Sequence, residues 1–346
     1  MSNRWPGGII RKTPVTPTGP YQNSAASGVW SMADATYWTK QGLWPIAGNV
    51  QDGTFGIFAL GLTSTCSFST TRDKYTFASC SVGAATAARY ASRGGTAAGN
   101  GTVGIFAIGQ TASNTTPYRD RYTYSSGAVS AAANASYCFT RWGMAAGNTT
   151  QAIFALGGVN SGLQTTNKFI YSACTSSVST NLGCRTRLGA AVGTSTVGIF
   201  AIGLESCCGV NRRKKYTYAC CSVVAATASS VASIAQSAAG NTTTGIFALG
   251  AVLSGCCYVP VVTRNKYTYS GDTNGAATAA TVASSTGSAA GNSTRGIFAL
   301  GSTAGGSVTT RNKYTYSGCV VTAGGVASVA SQEGSAASNG IAGITT

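Results

Sequence analysis

The sequence predicts an all-β chain: a six-bladed β-propeller of four-stranded blades preceded by an extended N-terminal arm. Three observations carry that expectation. One short phrase recurs six times, each copy travels with the same two companions, and residues 1–43 differ in composition from the rest of the chain. The phrase reads GIFALG at Gly56, GIFAIG at Gly104, AIFALG at Ala152, GIFAIG at Gly198 and GIFALG at Gly245 and Gly296. Its copies lie 48, 48, 46, 47 and 51 residues apart, a spacing that fits a propeller blade. The segments between them lack the 3.6-residue apolar period of a helical solenoid.

Each unit supplies four strands. A small-residue phrase comes first: TAAGN (96–100), MAAGN (144–148), AAVG (190–193) and SAAGN (237–241 and 288–292). IFALG comes second, a short β-branched and aromatic run bounded by glycines, which reads as a buried strand. Then comes an aromatic doublet at i and i+2, hence on one strand face: Tyr75/Phe77, Tyr122/Tyr124, Phe169/Tyr171, Tyr216/Tyr218, Tyr267/Tyr269 and Tyr314/Tyr316. An Ala/Val/Thr stretch such as AATAATVASS (276–285) closes the unit as a weak outer strand. Counting both WPIAGN (44–49) and SAAS (335–338) leaves one small-residue phrase too many for six blades. The simplest closure has SAAS return to the open edge of the first blade. A seven-bladed ring, with IAGI (341–344) and part of the arm forming a split blade, is the alternative.

Residues 1–43 hold four of the seven prolines and Trp5, Trp30 and Trp38. Proline at this density gives an extended segment that packs poorly on itself, and tryptophans favour burial against a partner, so the segment reads as an anchoring arm. No apolar run matches a secretory signal or a membrane span, so a soluble chain starting at Met1 is expected.

Composition excludes most chemistry. The chain has no histidine, so histidine-based nucleophile systems and histidine-held metals are out, and no cofactor is implied. Its seven carboxylates, Asp34, Asp52, Asp73, Asp120, Glu205, Asp272 and Glu333, are scattered singly, which argues against an enzyme. Against them stand 23 Lys and Arg, a net charge of +16. Thirteen of these recur around the aromatic strand: Arg72, Lys74, Arg119, Arg121, Lys168, Arg212, Arg213, Lys214, Lys215, Arg264, Lys266, Arg311 and Lys313. Equivalent positions of all blades lie at one height, so a basic ring on one rim is expected. It suits an anionic glycan or an acidic protein neighbour. Nucleic acid suits it less, because the aromatics that could stack on bases fill the space between blades. The other reading of these residues is a solvated turn copied with the repeat.

Twelve cysteines include no CxxC. Cys66 with Cys80, and Cys207/Cys208 with Cys220/Cys221, are candidate disulfides across one hairpin. A four-thiolate zinc site at the last four and buried free thiols are the alternatives.

The phrase G-IF-A-L-GG, the aromatic strand, the variable outer strand and the small-residue strand ending in Gly-Asn together resemble the kelch repeat of β-propellers. AIFALGG (152–158) is nearest to its double-glycine signature. The resemblance spans about residues 44–339 and implies the blade geometry. The kelch Trp after the third strand and the Arg-Ser-Gly-His before the first are missing. Copper oxidases of that family hold their metal with histidines, so that activity does not transfer. Separately, SGVWSMADATYWTKQGLWP (27–45) is similar to segments of virion proteins of tailed bacteriophages, including marine and cyanobacterial phages. That similarity implies a non-enzymatic virion structural protein: a decoration, fibre or host-attachment module. The arm would bind other virion proteins, the chain would be a homo-oligomer, and an anionic host glycan is a candidate ligand. A lectin-like propeller, secreted by or displayed on a bacterium, is the alternative.

Overall fold

A computed structural model describes residues 53–137, 140–158, 162–205 and 208–340. They form six antiparallel four-stranded sheets and four two-stranded ones, three of them hairpins and one joining Leu62–Thr63 to Ser331–Gln332, with no helix among the described residues. In blade 2 the order from the axis outward is Thr96–Gly99, Val103–Gln110, Thr115–Thr123 and Val129–Ala132. The small-residue phrase is therefore innermost, IFALG second, the aromatic doublet third and the variable strand outermost. Blade 1 takes its innermost strand from the other end of the sequence. Ser335–Ser338 pairs antiparallel with Phe55–Ala59, matching Gly56 with Ser338 and Ala59 with Ser335. Each innermost strand packs against the next, and the sixth meets the first. The ring is closed with six blades, which removes the seven-bladed alternative; residues 1–43 and 44–49 lie outside the described residues.

Why the recurring residues travel together is visible at the axis. The Tyr124 ring fits between blades only because Gly99 and Gly104 have no Cβ, which would lie 2.6 and 2.7 Å from its hydroxyl oxygen. Blade 1 makes the reciprocal choice. Its doublet ends in Phe77, which has no hydroxyl, and Ser338 stands where the other blades need glycine. The asparagine after the innermost strand locks the turn: Asn100 Oδ1 accepts the N–H groups of Thr102 and Val103, both at 2.9 Å. Its Nδ2 donates to Thr149 O of the next blade at 3.0 Å. Asn148, Asn241 and Asn292 repeat the arrangement.

Both faces of every sheet are covered by neighbouring blades, so apolar side chains on both strand faces are buried. Ile153 and Met144 of blade 3 share a cluster with Phe200, Ile202 and Tyr216 of blade 4. The third strand exploits this arrangement differently. Arg72 points to blade 2, where its guanidinium lies 4.7 Å over the Phe106 ring and Nη2 donates to Asp120 Oδ2 at 2.8 Å. Arg119 meets Phe154 and Asn167, Arg213 meets Phe247 and Asn265, Arg264 meets Phe298 and Asn312, and Arg311 meets Phe58 and Asp73. The same Asx accepts a backbone N–H from the connection behind it, such as Ser328 N to Asp73 Oδ2 at 3.0 Å. Five of six interfaces carry this clasp. At the sixth, blade 3 has Thr166 in the arginine position and blade 4 has Lys214 in the Asx position. Both halves are gone together, and Leu182 joins the Phe200 cluster there.

A buried charge that loses its partner is costly, on the order of 3–5 kcal/mol. Asp120→Ala is expected to destabilise the propeller by about that amount in urea unfolding, because buried Arg72 is left uncompensated and the partly exposed Arg89 loses its carboxylate too. The double substitution Arg72→Leu with Asp120→Ala, which imitates the apolar sixth interface, is expected to recover at least half of the loss.

Candidate functional site

The expected basic rim does not form. Arg72, Arg119, Arg213, Arg264 and Arg311 are all 0–1% exposed. Strand alternation is the reason: residues i and i+2 share a face, and that face looks at the next blade instead of solvent. Lys74, two residues after Arg72, lies 4.2 Å over the Phe55 ring. Lys215 reaches Asp272 of blade 5 at 3.5 Å, and Lys313 Nζ reaches Cys80 Sγ of blade 1 at 3.8 Å. Arg121, Lys168 and Lys266 are half-buried at the same register, and Lys214 is half-buried one residue earlier, in the Asx position. Of the thirteen, Arg212 alone is exposed, and it pairs with Glu205.

The cysteines do not pair as expected either. Cys66 sits in the hairpin before the third strand and Cys80 in the turn after it, at opposite ends of Arg72–Thr76. Cys208 and Cys220/Cys221 are placed in the same way about Arg213–Thr217. Such a strand is roughly 17 Å long, whereas disulfide Cα atoms lie about 4.4–6.8 Å apart. All five are free thiols, and the separation equally breaks the zinc alternative; Cys207 lies outside the described residues. Cysteine recurs at one place in this turn, where the thiols of Cys80, Cys221 and Cys319 approach the carbonyl three residues earlier at 3.8–4.0 Å. Cys80, Cys174, Cys221 and Cys319 hold its left-handed position, with φ of 50–55°. Trp5, Trp30 and Trp38 lie outside the described residues.

The blades diverge at one place on the axis, where the connection from each outer strand enters the next innermost strand. The two residues there are Arg93-Gly94, Arg141-Trp142, Arg187-Leu188, Ile234-Ala235, Ser285-Thr286 and Gln332-Glu333. The second of each pair has positive φ, from 54° at Glu333 to 61° at Gly94. Non-glycine residues pay about 1–2 kcal/mol for this conformation, and it persists because the backbone is tied in a circle. Trp142 N donates to Gly94 O at 2.7 Å, Leu188 N to Trp142 O at 2.9 Å, Gln236 N to Leu188 O at 3.3 Å and Thr286 N to Ala235 O at 3.1 Å. Glu333 N to Thr286 O at 2.9 Å and Gly94 N to Glu333 O at 2.8 Å complete the circuit.

This belt rims an axial cavity of about 110 Å³, lined by Gly94, Trp142, Leu188, Gln236, Thr286 and Glu333 among others. Three arginines stand outside this lining, next to two of its residues, Glu333 and Trp142. Glu333 Oε2 stands 3.7 Å from Arg93 Nε and 3.6 Å from Arg141 Nη2, close enough for charge attraction and too far for hydrogen bonds. The Arg141 guanidinium lies 3.4 Å over the Trp142 ring, and Arg187 lies 6.0 Å from the same ring. Burial pulls Arg141 down to about 10; Glu333 opposes that, and the neighbouring Arg93 and Arg187 add to it. Arg141 Nε, Arg187 Nε and Trp142 Nε1 are buried without a hydrogen-bond acceptor, and Gln236 Oε1 without a donor. The arrangement is electropositive and rich in unmet donors, and its one carboxylate is held between cations. It is equipped to bind an anion. Among the described residues it has no second carboxylate of the kind paired acid–base work needs. No group of described residues could hold a metal ion.

Searches against protein-family models and curated proteins return no match. Among solved structures the chain is similar to YjhT, with a TM-score of 0.62 and 13% identity over 80% of this chain and 98% of that one. The fold is a six-bladed β-propeller. At that identity the likeness extends to the fold alone.

A methyl group at Gly94 would lie 2.9 Å from Arg141 Cγ and 3.0 Å from Trp142 Cδ1, at a φ unfavourable to alanine. Gly94→Ala is therefore expected to destabilise the chain by at least about 1–2 kcal/mol in urea unfolding. Gly83→Ala, whose added methyl meets nothing within 4 Å, is the matched control and is expected not to destabilise.

Proposed function

We propose that this chain is a non-enzymatic recognition module carried on the particle of a tailed bacteriophage, with its propeller presented to a host-surface glycan. The observation that carries the non-enzymatic reading is the employment of the carboxylates. Asp73 and Asp120 are buried clasps between blades, paired with Arg311 and Arg72. Asp272 pairs with Lys215 and Glu205 with Arg212, and Glu333 lies between Arg93 and Arg141. All five described carboxylates thus have a structural or electrostatic partner, and none faces a second carboxylate across the axial cavity.

The particle location is supported by the likeness of residues 27–45 to virion segments and by the Pro- and Trp-containing composition of residues 1–43. The kelch resemblance adds a scaffold in which loops at one end of the ring vary while the strands repeat, and the divergence of the axial belt fits that pattern. A lectin-like propeller of a bacterial surface would use the same belt, and the arm separates the two readings.

Purified chain is expected to co-sediment with phage particles only when residues 1–43 are present, and Trp30→Ala or Trp38→Ala is expected to weaken that association at least tenfold, as loss of a buried aromatic anchor does. Co-sedimentation that is indifferent to the arm would refute the virion reading and favour the bacterial one.

A further inference from the structure

We infer that the seat formed by Arg93, Arg141 and Arg187 receives the carboxylate of an acidic sugar, and that Glu333 occupies this seat from within as a tethered competitor. The inference deepens the recognition reading above; it depends on binding at the axis and not on where the propeller is carried.

Charge supplies the first argument. Three guanidinium groups and one carboxylate leave the cluster with a net charge of +2, held beside a cavity. Among the described residues Arg187 has no carboxylate partner, and its guanidinium stands beside the Trp142 ring. Like charges gathered at a partly desolvated place repel one another, and an incoming anion relieves that repulsion.

Hydrogen-bond geometry supplies the second. Glu333 is near enough to neutralise Arg93 and Arg141 and too distant to hydrogen-bond either, so its Oε2 stays buried and unbonded. Arg93 Nε donates instead to Gln110 Oε1 at 3.2 Å, while Arg141 Nε and Arg187 Nε have no acceptor. A guanidinium fork is best met by a carboxylate that bonds both of its edges at about 2.7–2.9 Å. A free ligand can approach to that distance. Glu333 is held by a left-handed backbone with φ of 54° whose N–H and C=O both belong to the axial belt. The internal carboxylate thus holds the seat loosely.

Size and polarity select the ligand class. A cavity of about 150 Å³ accommodates benzene, so about 110 Å³ admits a carboxylate and its adjoining carbons, not a whole hexose. The arginines stand outside the lining and Glu333 belongs to it, so the acid end is drawn to the Glu333 side of the cavity, with the rest in the open mouth. Gln236 Oε1, buried and lacking a donor, lies in the same lining and suits a hydroxyl, which a sugar acid provides and a simple fatty acid does not.

Titration calorimetry on the full chain tests this with glucuronate, glucose and N-acetylglycine as probes. Glucuronate is expected to bind Glu333→Gln at least tenfold more tightly than the unmodified chain, and glucose is expected to bind neither. Adding Arg187→Gln to Glu333→Gln is expected to remove at least tenfold of that affinity; Arg187 has no ion pair among the described residues to lose. Should Glu333→Gln fold poorly, Glu333→Gly removes the carboxylate while suiting the left-handed backbone, and the same gain is expected. Equal glucuronate affinity with and without the Glu333 carboxylate would overturn the competitor. Binding unaffected by Arg187→Gln, or matched by glucose, would overturn the seat. N-acetylglycine binding as tightly as glucuronate would overturn the assignment to a sugar acid. Turnover of glucuronate would instead sink the non-enzymatic reading, and failed co-sedimentation with particles leaves these binding results intact.

Discussion

The guanidinium group that leaves one blade and ends in the next sets the architecture. Arg119, Arg213 and Arg264 are pulled down to about 10 by burial, a measure of how much water each has given up. What holds them is a ring face at 4.4–4.5 Å and an Asx oxygen beyond it. Such a contact is weak evidence of net stability, since an apolar filling of the same volume often does as well. Its value here is angular. A planar fork that must meet both a Phe face and an Asx oxygen fixes how far each sheet is rotated about its neighbour, and six such rotations have to sum to a full circle. The third and fourth blades show the alternative solution, where Thr166 and Lys214 replace both partners and Leu182 joins the apolar cluster.

Much of this is legible in the sequence because the frame is written six times. The phrase positions give the blade count, and SAAS at 335–338 gives the closing strand, since a phrase without its own IFALG has to serve another blade. The basic ring fails for a reason that spacing cannot express. Arg72 and Lys74 do lie at one height in the ring, but height says nothing of whether a side chain faces water or a neighbouring sheet. The cysteines fail similarly: Cys66 and Cys80 are 14 residues apart and read as two arms of one hairpin, yet a complete strand separates them. The axial belt escapes a search for repeats because it is the part of each unit that does not recur. Aligning the units on their small-residue phrases brings Arg-Gly, Arg-Trp, Arg-Leu, Ile-Ala, Ser-Thr and Gln-Glu into one column, and that variability beside fixed neighbours is the available signal.

Frame and mouth thus use charge in opposite ways. Between blades each buried arginine of the third strand meets an Asx that the repeat supplies, and Asp120 takes Arg89 as well. At the axis one glutamate serves Arg93 and Arg141, and Arg187 beside them has no carboxylate among the described residues. The same residue type stabilises geometry in the first setting and leaves binding capacity in the second, and only the local count of acceptors separates the two.

The circuit of N–H to C=O contacts around the axis has an electrical corollary. Six hydrogen bonds that run round the axis in one sense have in-plane polarities that add as vectors to nearly nothing, unlike the aligned dipoles of a helix that give its ends opposite polarity. The hoop of hydrogen bonds therefore has no net in-plane polarity of its own. Whether the opening draws cations or anions is decided by side chains, so exchanging one residue pair in one blade could retune its polarity without disturbing the hoop beneath.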